Sequence, residues 1–269
     1  MRVADGPPRV DFSWTMMGTS ARICLAAFAA VASLAALPAA AGEANRPLGV
    51  VELFTSQGCS SCPPADAVFA SFAERRDLIA LSFHVDYWDY LGWRDTLASP
   101  ANTARQQGYG KAFGTQSVYT PQAVINGRTH MSGAKSDDIA GTFAALDAEG
   151  EGMRIDVSAS SSGESIMIDI GDGFTAHQKA HVLIAYFDDE RSVQIERGEN
   201  RGKTLVYRNA VTSLQSVGMW HGRATQLEVP VADPARAAAG GCAILLQKVS
   251  KDGKPGPILG ATRLVIPQS

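Results

Sequence analysis

Cys59-Ser60-Ser61-Cys62-Pro63-Pro64 follows the apolar run Val50-Val51-Glu52-Leu53-Phe54, so two thiols fall where a strand hands over to a helix. Two cysteines separated by two residues at a helix start can close a readily reducible bridge. The unpaired N–H groups of the first helical turn stabilise a thiolate on the first of them. The chemistry expected is thiol–disulfide exchange that starts at Cys59. A static structural disulfide or half of a zinc knuckle would use the same residue types. A zinc site needs a second ligand pair at matching spacing, and the sequence has none.

The neighbours set how reactive Cys59 can be. From Pro47 to Ala73 there is no Lys or Arg, while Glu52 and Asp66 lie close in sequence. Lowering of the thiol pKa must therefore come from the helix N-terminus and local hydrogen bonds, nearer the ~7 of a mild dithiol than the ~3.5 of a strong oxidant. Arg94 and Arg105 are the cations that tertiary contacts could add. His84 and Asp86 share one side of the next strand by alternation, where they can pair with each other or orient a client; a lone strand histidine is also an ordinary core residue. Tyr87, Trp88, Tyr90 and Trp93 crowd the following loop. They would form a peptide-binding wall or pack against the second half of the chain.

The elements that position these residues follow from period and punctuation. Val50 to Phe54 is a buried strand, and Ala65 to Arg75 is a helix with Val68, Phe69 and Phe72 on its apolar face. Leu78 to Val85 is a second strand, and Ser99-Pro100 opens a helix running to about Phe113. Pro121 to Ile125, Asn126-Gly127 and Thr129 to Met131 form strand, tight turn and strand. Asp137 to Ala148 is a helix whose first-turn aspartates complement its dipole. Beyond Met153 the texture changes to short segments: Arg154 to Ala159, Ser165 to Ile170, His181 to Phe187, Lys203 to Val211, Gln226 to Val231, Ala243 to Val249 and Thr262 to Ile266. They predict an antiparallel sandwich joined to the first half by a hinge at Glu149-Gly150-Glu151-Gly152. Arg197 to Lys203 is charged and glycine-rich, with no helix after it, and is expected to be an exposed loop. His177, His181 and His221 are too scattered for a metal site.

Ahead of all this, Ile23 to Leu37 is an apolar run with Arg22 before it and Ala39-Ala40-Ala41 after it, the pattern of a secretory signal cleaved before Gly42. It is shorter than the ~20 apolar residues a membrane span needs, so no stable span is expected after cleavage. Asp5, Pro7, Pro8 and Asp11 are an odd opening for such a signal, which makes Met16 or Met17 an alternative start. A hydrophobic content of 45%, a charged content of 19% and a net charge of −3 leave no basic excess for nucleic acid. Of the four cysteines, Cys24 would leave with the signal, and Cys242 sits in the apolar run Cys242-Ala243-Ile244-Leu245-Leu246, a core strand.

Strand, helix, strand, helix, hairpin and helix, with two cysteines between the first strand and first helix, resembles the thioredoxin superfamily across about residues 48–149. In that superfamily a cis proline faces the dithiol, and Tyr119-Thr120-Pro121 puts Pro121 in that place, with Thr120 beside the client. The superfamily also keeps a buried carboxylate that helps move a proton for the second cysteine. Glu52, one residue off in spacing, is the candidate, with a backbone partner or cap as the other role for it. More narrowly, Glu52 through Asp66, His84-Val85-Asp86-Tyr87-Trp88-Asp89 with Leu91-Gly92-Trp93, and Gly198-Glu199-Asn200 resemble the secreted family called domain of unknown function 1223.

The fold expected is therefore α/β: a signal over 1–41, a thioredoxin-like domain over 48–150 and an all-β sandwich-like domain over 153–268. The function expected is a periplasmic or secreted thiol–disulfide oxidoreductase without a bound cofactor, acting on protein thiols or disulfides and served by a redox partner protein. Cys59, Cys62, Pro121 and Glu52 would carry the chemistry, and Thr120, Tyr87 and Trp88 would meet the client. The alternatives are a soft-metal carrier holding copper between Cys59, Cys62 and His84, or a non-catalytic binding module.

Overall fold

Residues 46–162, 164–175, 178–230 and 240–264 are described by a computed structural model. The expected signal, Cys24, His177 and the strand ends at Val231 and Ile266 lie outside them.

The local elements of the first half follow the sequence closely, while β-strands of the second half run longer than expected, to 15 and 17 residues. The apolar run becomes β1 (Gly49–Thr55), buried at every position. Pro63 and Pro64 open α1 (Pro63–Ala73), where missing N–H groups cost nothing, and Cys62 is its N-cap residue. Next come β2 (Leu78–His84), a 3₁₀ turn (Asp89–Leu91) and α2 (Pro100–Phe113). The Ser99 side chain caps α2 by accepting from the Asn102 N–H at 3.2 Å. The hairpin β3 (Gln122–Ile125) and β4 (Thr129–Ser132) turns through Asn126 and Gly127, both at positive φ. α3 (Ser136–Ala148) follows, with Asp137 and Asp138 in its first turn. Then come β5 (Val157–Ser161), β6 (Ser165–Ile170), β7 (Ala180–Gln194), β8 (Thr204–Trp220), β9 (Thr225–Pro230), β10 (Gly241–Val249) and β11 (Pro255–Leu264).

The assembly of these elements corrects the expected fold class. A thioredoxin-like α/β domain followed by a separate all-β sandwich-like domain is not what forms. Among the described residues eleven strands stand against three α-helices, and eight of the strands make one mixed sheet, ordered β11-β10-β7-β8-β2-β1-β3-β4. β1 and β2 run parallel in full register from Gly49↔Leu78 to Thr55↔His84. β8 joins β2, also parallel, at Ser82↔Ala210, so strands from both halves share one sheet. Only β5, β6 and β9 form a second, three-stranded sheet. The physical reason lies in β7 and β10, whose runs Val182–Phe187 and Gly241–Gln247 are buried on both faces. Strands apolar on both faces need cover on both, which one half of the chain does not supply.

Three cores result. Val50, Phe54, Leu81 and Phe83 pack with Tyr109 of α2 and with Leu183, Phe187, Ala243 and Leu245, a single core spanning both halves. The alternate residues of β1 and β2, among them Val51, Leu53 and Ala80, pack with Phe69 and Phe72 of α1 and Phe143 of α3 on the opposite face. The alternate residues of β7 and β10 pack against β5, β6 and β9 around Trp220. Cys242 lies in this last core with its thiol pushed up to about 12 by burial, and is inert.

Candidate functional site

Cys59 and Cys62 are joined as a disulfide across three positions of sequence, at the N-terminus of α1. The Cys62 N–H donates to the Cys59 carbonyl at 3.2 Å, and the Asp66 N–H takes up the Cys62 carbonyl at 3.0 Å, so the bridge is continuous with the helix. Both cysteines are buried: Cys59 is 2% exposed and Cys62 is 0% exposed. Ser60 and Ser61 between them are exposed, and Cys59 Sγ lies 3.3 Å from Ser61 Oγ.

Two loops pack on the chain segment that carries Cys59. Trp88 packs so closely on Gly58 that a Cβ there would sit 3.1 Å from the Trp88 Cβ. The Trp88 indole N–H donates to Thr120 Oγ1 at 2.8 Å, which ties this wall to the cis Thr120–Pro121 peptide. Tyr87 and Tyr90 flank Trp88 with ring centroids 5.8 and 6.4 Å away, and Tyr90 is 77% exposed. Tyr87, Trp88, Thr120 and Pro121 are thus brought together beside the Cys59 loop. The second is the loop joining β7 to β8, expected to be exposed. Asn200 within it is fully buried, and its amide donates to the carbonyls of Gln57 and Cys59, both at 2.9 Å. Gly198 takes φ +76°, and a Cβ on it would press on Trp93 at 3.2 Å. Spacing carried no hint of this clamp, through which the second half of the chain meets the cysteine segment.

Glu52 is placed elsewhere. Its side chain shares the face of Val50 and Phe54, while α1 lies over the face of Val51 and Leu53. Both its oxygens are engaged, one by Arg105 Nε at 2.7 Å and the other by the Tyr109 hydroxyl. Arg105 also reaches Gln247 Oε1 of β10 at 3.0 Å, so Glu52 anchors a buried network that ties α2 to the second half. The structure does not bring Glu52 to the cysteine side of the sheet.

A carboxylate does lie there. Asp66 is one helical turn beyond Cys62, buried between α1 and the sheet, with Oδ1 accepting from Thr55 Oγ1 at 2.7 Å. Burial pushes its carboxyl up to about 7, against the lowering effects of the Thr55 hydroxyl and of His84. A sequence signal existed: Asp66 stands three residues before Phe69, a charge on the apolar face of the helix. His84 does not pair with Asp86, which goes instead to Thr103 Oγ1 at 2.6 Å. The His84 Nδ1 meets Asp95 Oδ2 at 2.8 Å, both side chains being buried. Burial pushes the Asp95 carboxyl up, but His84 and the N–H groups of Gln57 and Leu97 outweigh it and hold the group below its usual range. The same Asp95 oxygen accepts the Gln57 N–H at 2.8 Å, which connects this dyad to the Cys59 loop. The copper trio of Cys59, Cys62 and His84 is not assembled; among the described residues no group of three or more His, Cys, Asp or Glu side chains could hold a metal ion.

A mainly β protein with a disulfide at the start of its first helix is the class that fold and site define. The chain belongs to the family described as protein of unknown function DUF1223, whose profile matches residues 50–247. It is similar to a crystal structure of a protein from Agrobacterium tumefaciens, at 44% identity and a TM-score of 0.76, covering 83% of this chain and 96% of that one. It shares its fold with HBP35 of Porphyromonas gingivalis at 10% identity and a TM-score of 0.57, over 82% of this chain and 76% of that one. No curated protein matches. No helix among the described residues is long and apolar enough to cross a membrane.

Proposed function

We propose that this protein is a thiol–disulfide oxidoreductase whose working pair is Cys59–Cys62, directed by its leader to the periplasm or the exterior. The observation that carries this reading is the position of the bridge: it spans three residues at a helix N-terminus and fastens no distant segments together. A loop that short constrains the unfolded chain by only about 2 kcal/mol, a poor return for a structural staple in a chain with three cores of its own. Helix N–H groups at the same place favour a thiolate.

In this reading a client thiolate approaches across the exposed Ser60 and Ser61 and attacks Cys59 Sγ, and Cys62 resolves the mixed disulfide from inside. Trp88, Tyr87, Thr120 and Pro121 form the wall on which the client lies, and a redox partner protein resets the pair. The test is equilibration of the protein with graded dithiothreitol redox buffers, followed by alkylation and mass measurement. A midpoint within the range of known exchange proteins, and mixed disulfides trapped by Cys62→Ser, are expected. A pair that resists reduction until the protein unfolds would overturn the reading.

A further inference from the structure

Three cations line one small cavity at the seam between the two halves of the chain. Arg128 comes from the β3–β4 turn, Arg154 from the connection between α3 and β5, and Lys248 from β10, and the cavity they line measures about 220 Å³. Glu151 is the single carboxylate among the lining residues, and it is already paired with Arg128 Nη1. Arg154 Nη1 donates to the Gly150 carbonyl at 3.0 Å, and its guanidinium lies 5.2 Å from the centroid of the Phe174 ring, which is 64% exposed. Three cations against one carboxylate leave the lining with an excess of positive charge.

Two buried polar atoms of the lining have no hydrogen-bond partner in the protein: Arg128 Nε, a donor, and Gln178 Oε1, an acceptor. Burial pulls the Arg128 guanidinium below its usual range, and Glu151 offsets this only in part. Like charges gathered beside buried surface repel, and a buried donor left unmade costs about 1 to 3 kcal/mol, so such a lining calls for an anionic guest.

We propose that this cavity binds free phosphate, held by the guanidinium groups of Arg128 and Arg154 and the ammonium of Lys248. Forked guanidinium donors match phosphate oxygens, and Lys248, exposed at the rim, adds a point charge. Gln178 selects among oxyanions. At pH 8 the phosphate dianion keeps one hydroxyl that can donate to the orphaned Oε1, whereas sulfate and the dianion of a phosphate monoester have none. The volume equals that of about seven waters at ~30 Å³ each, ample for the ion. A guest here touches the β3–β4 turn, the segment after α3, the β6–β7 loop and β10 together, so its binding stabilises the folded chain by mass action. No lining residue belongs to the cysteine segment, and the site stands whether or not the dithiol exchanges.

Calorimetric titration of the whole protein with sodium phosphate at pH 8, against chloride of equal ionic strength, tests this. One saturable site is expected, with a urea midpoint that rises with phosphate. Sulfate and phenyl phosphate, compared as dianions, should bind roughly fivefold more weakly for want of the hydroxyl. Lys248→Gln, a change at an exposed side chain, and Arg154→Gln should each weaken phosphate roughly tenfold. Glu151→Gln removes the competing carboxylate and should tighten it roughly fivefold, where a purely structural role for Glu151 predicts no gain. Absence of a saturable signal above chloride, binding unchanged by both Lys248→Gln and Arg154→Gln, or no tightening in folded Glu151→Gln overturns the site. Sulfate or phenyl phosphate bound as tightly as phosphate overturns the assignment of free phosphate as its guest.

Discussion

Replacing Asp66 by Asn should make the folded protein more stable at neutral pH and leave it almost unchanged in acid. In the unfolded chain this carboxyl ionises near its ordinary 3.8, but in the fold burial raises it to about 7. Between those values the native state holds one proton more than the unfolded state, so stability falls as pH rises, by 1.36 kcal/mol per unit. Across the whole interval the loss comes to about 4 kcal/mol, fully present above pH 7 and absent below pH 4. Asn is neutral throughout, fits the same space, and can still accept from Thr55. Urea unfolding of the oxidised proteins at pH 4, 5, 6, 7 and 8 reads the difference directly, because the other titrating groups are common to both. The two stability curves should meet near pH 4 and diverge to about 4 kcal/mol at pH 8 in favour of Asn. Parallel curves would mean that Asp66 is ionised in the fold, and the buried acid would have to be abandoned.

Asn200→Ala removes both hydrogen bonds that bind the β7–β8 loop to the carbonyls of Gln57 and Cys59; a stability loss of about 2 to 3 kcal/mol and faster alkylation of reduced Cys59 are expected by unfolding and labelling assays. Glu52→Gln leaves Arg105 buried without its charge partner, and should cost about 3 to 5 kcal/mol in denaturant unfolding. Reducing the Cys59–Cys62 bridge should lower stability by only about 2 kcal/mol with the circular dichroism spectrum unchanged, since the closed loop is so short.

The local order was legible because strand, cap and turn signals act between near neighbours: the Ser99 cap, the proline start of α1 and the Asn126-Gly127 turn all stand where their chemistry placed them. The site was half legible for the same reason. The cysteine spacing pointed to the bridge, and the aromatic loop and Thr120 came to lie beside it. What sequence periodicity does not carry is which distant strand completes a sheet. The apolar runs of β7 and β10 announced burial, but nothing in them named β2 as the neighbour of β8. The same blindness hid the partners of single polar residues. Asp66 takes Thr55 from eleven positions earlier and His84 takes Asp95 from eleven positions later, while Asn200 reaches back 141 residues to Cys59. Glu52, the carboxylate that the spacing offered, went to the opposite face because a strand turns alternate side chains to opposite sides.

The central claim is that Cys59–Cys62 exchanges with other thiols while the protein stays folded. The measurement that bears on it most directly is the fraction of dithiol against dithiothreitol redox buffer, read by alkylation and mass, with unfolding followed in the same samples. A reversible midpoint reached in fully folded protein is the predicted result. Reduction that occurs only as the fold is lost would make the bridge a structural one and contradict the account.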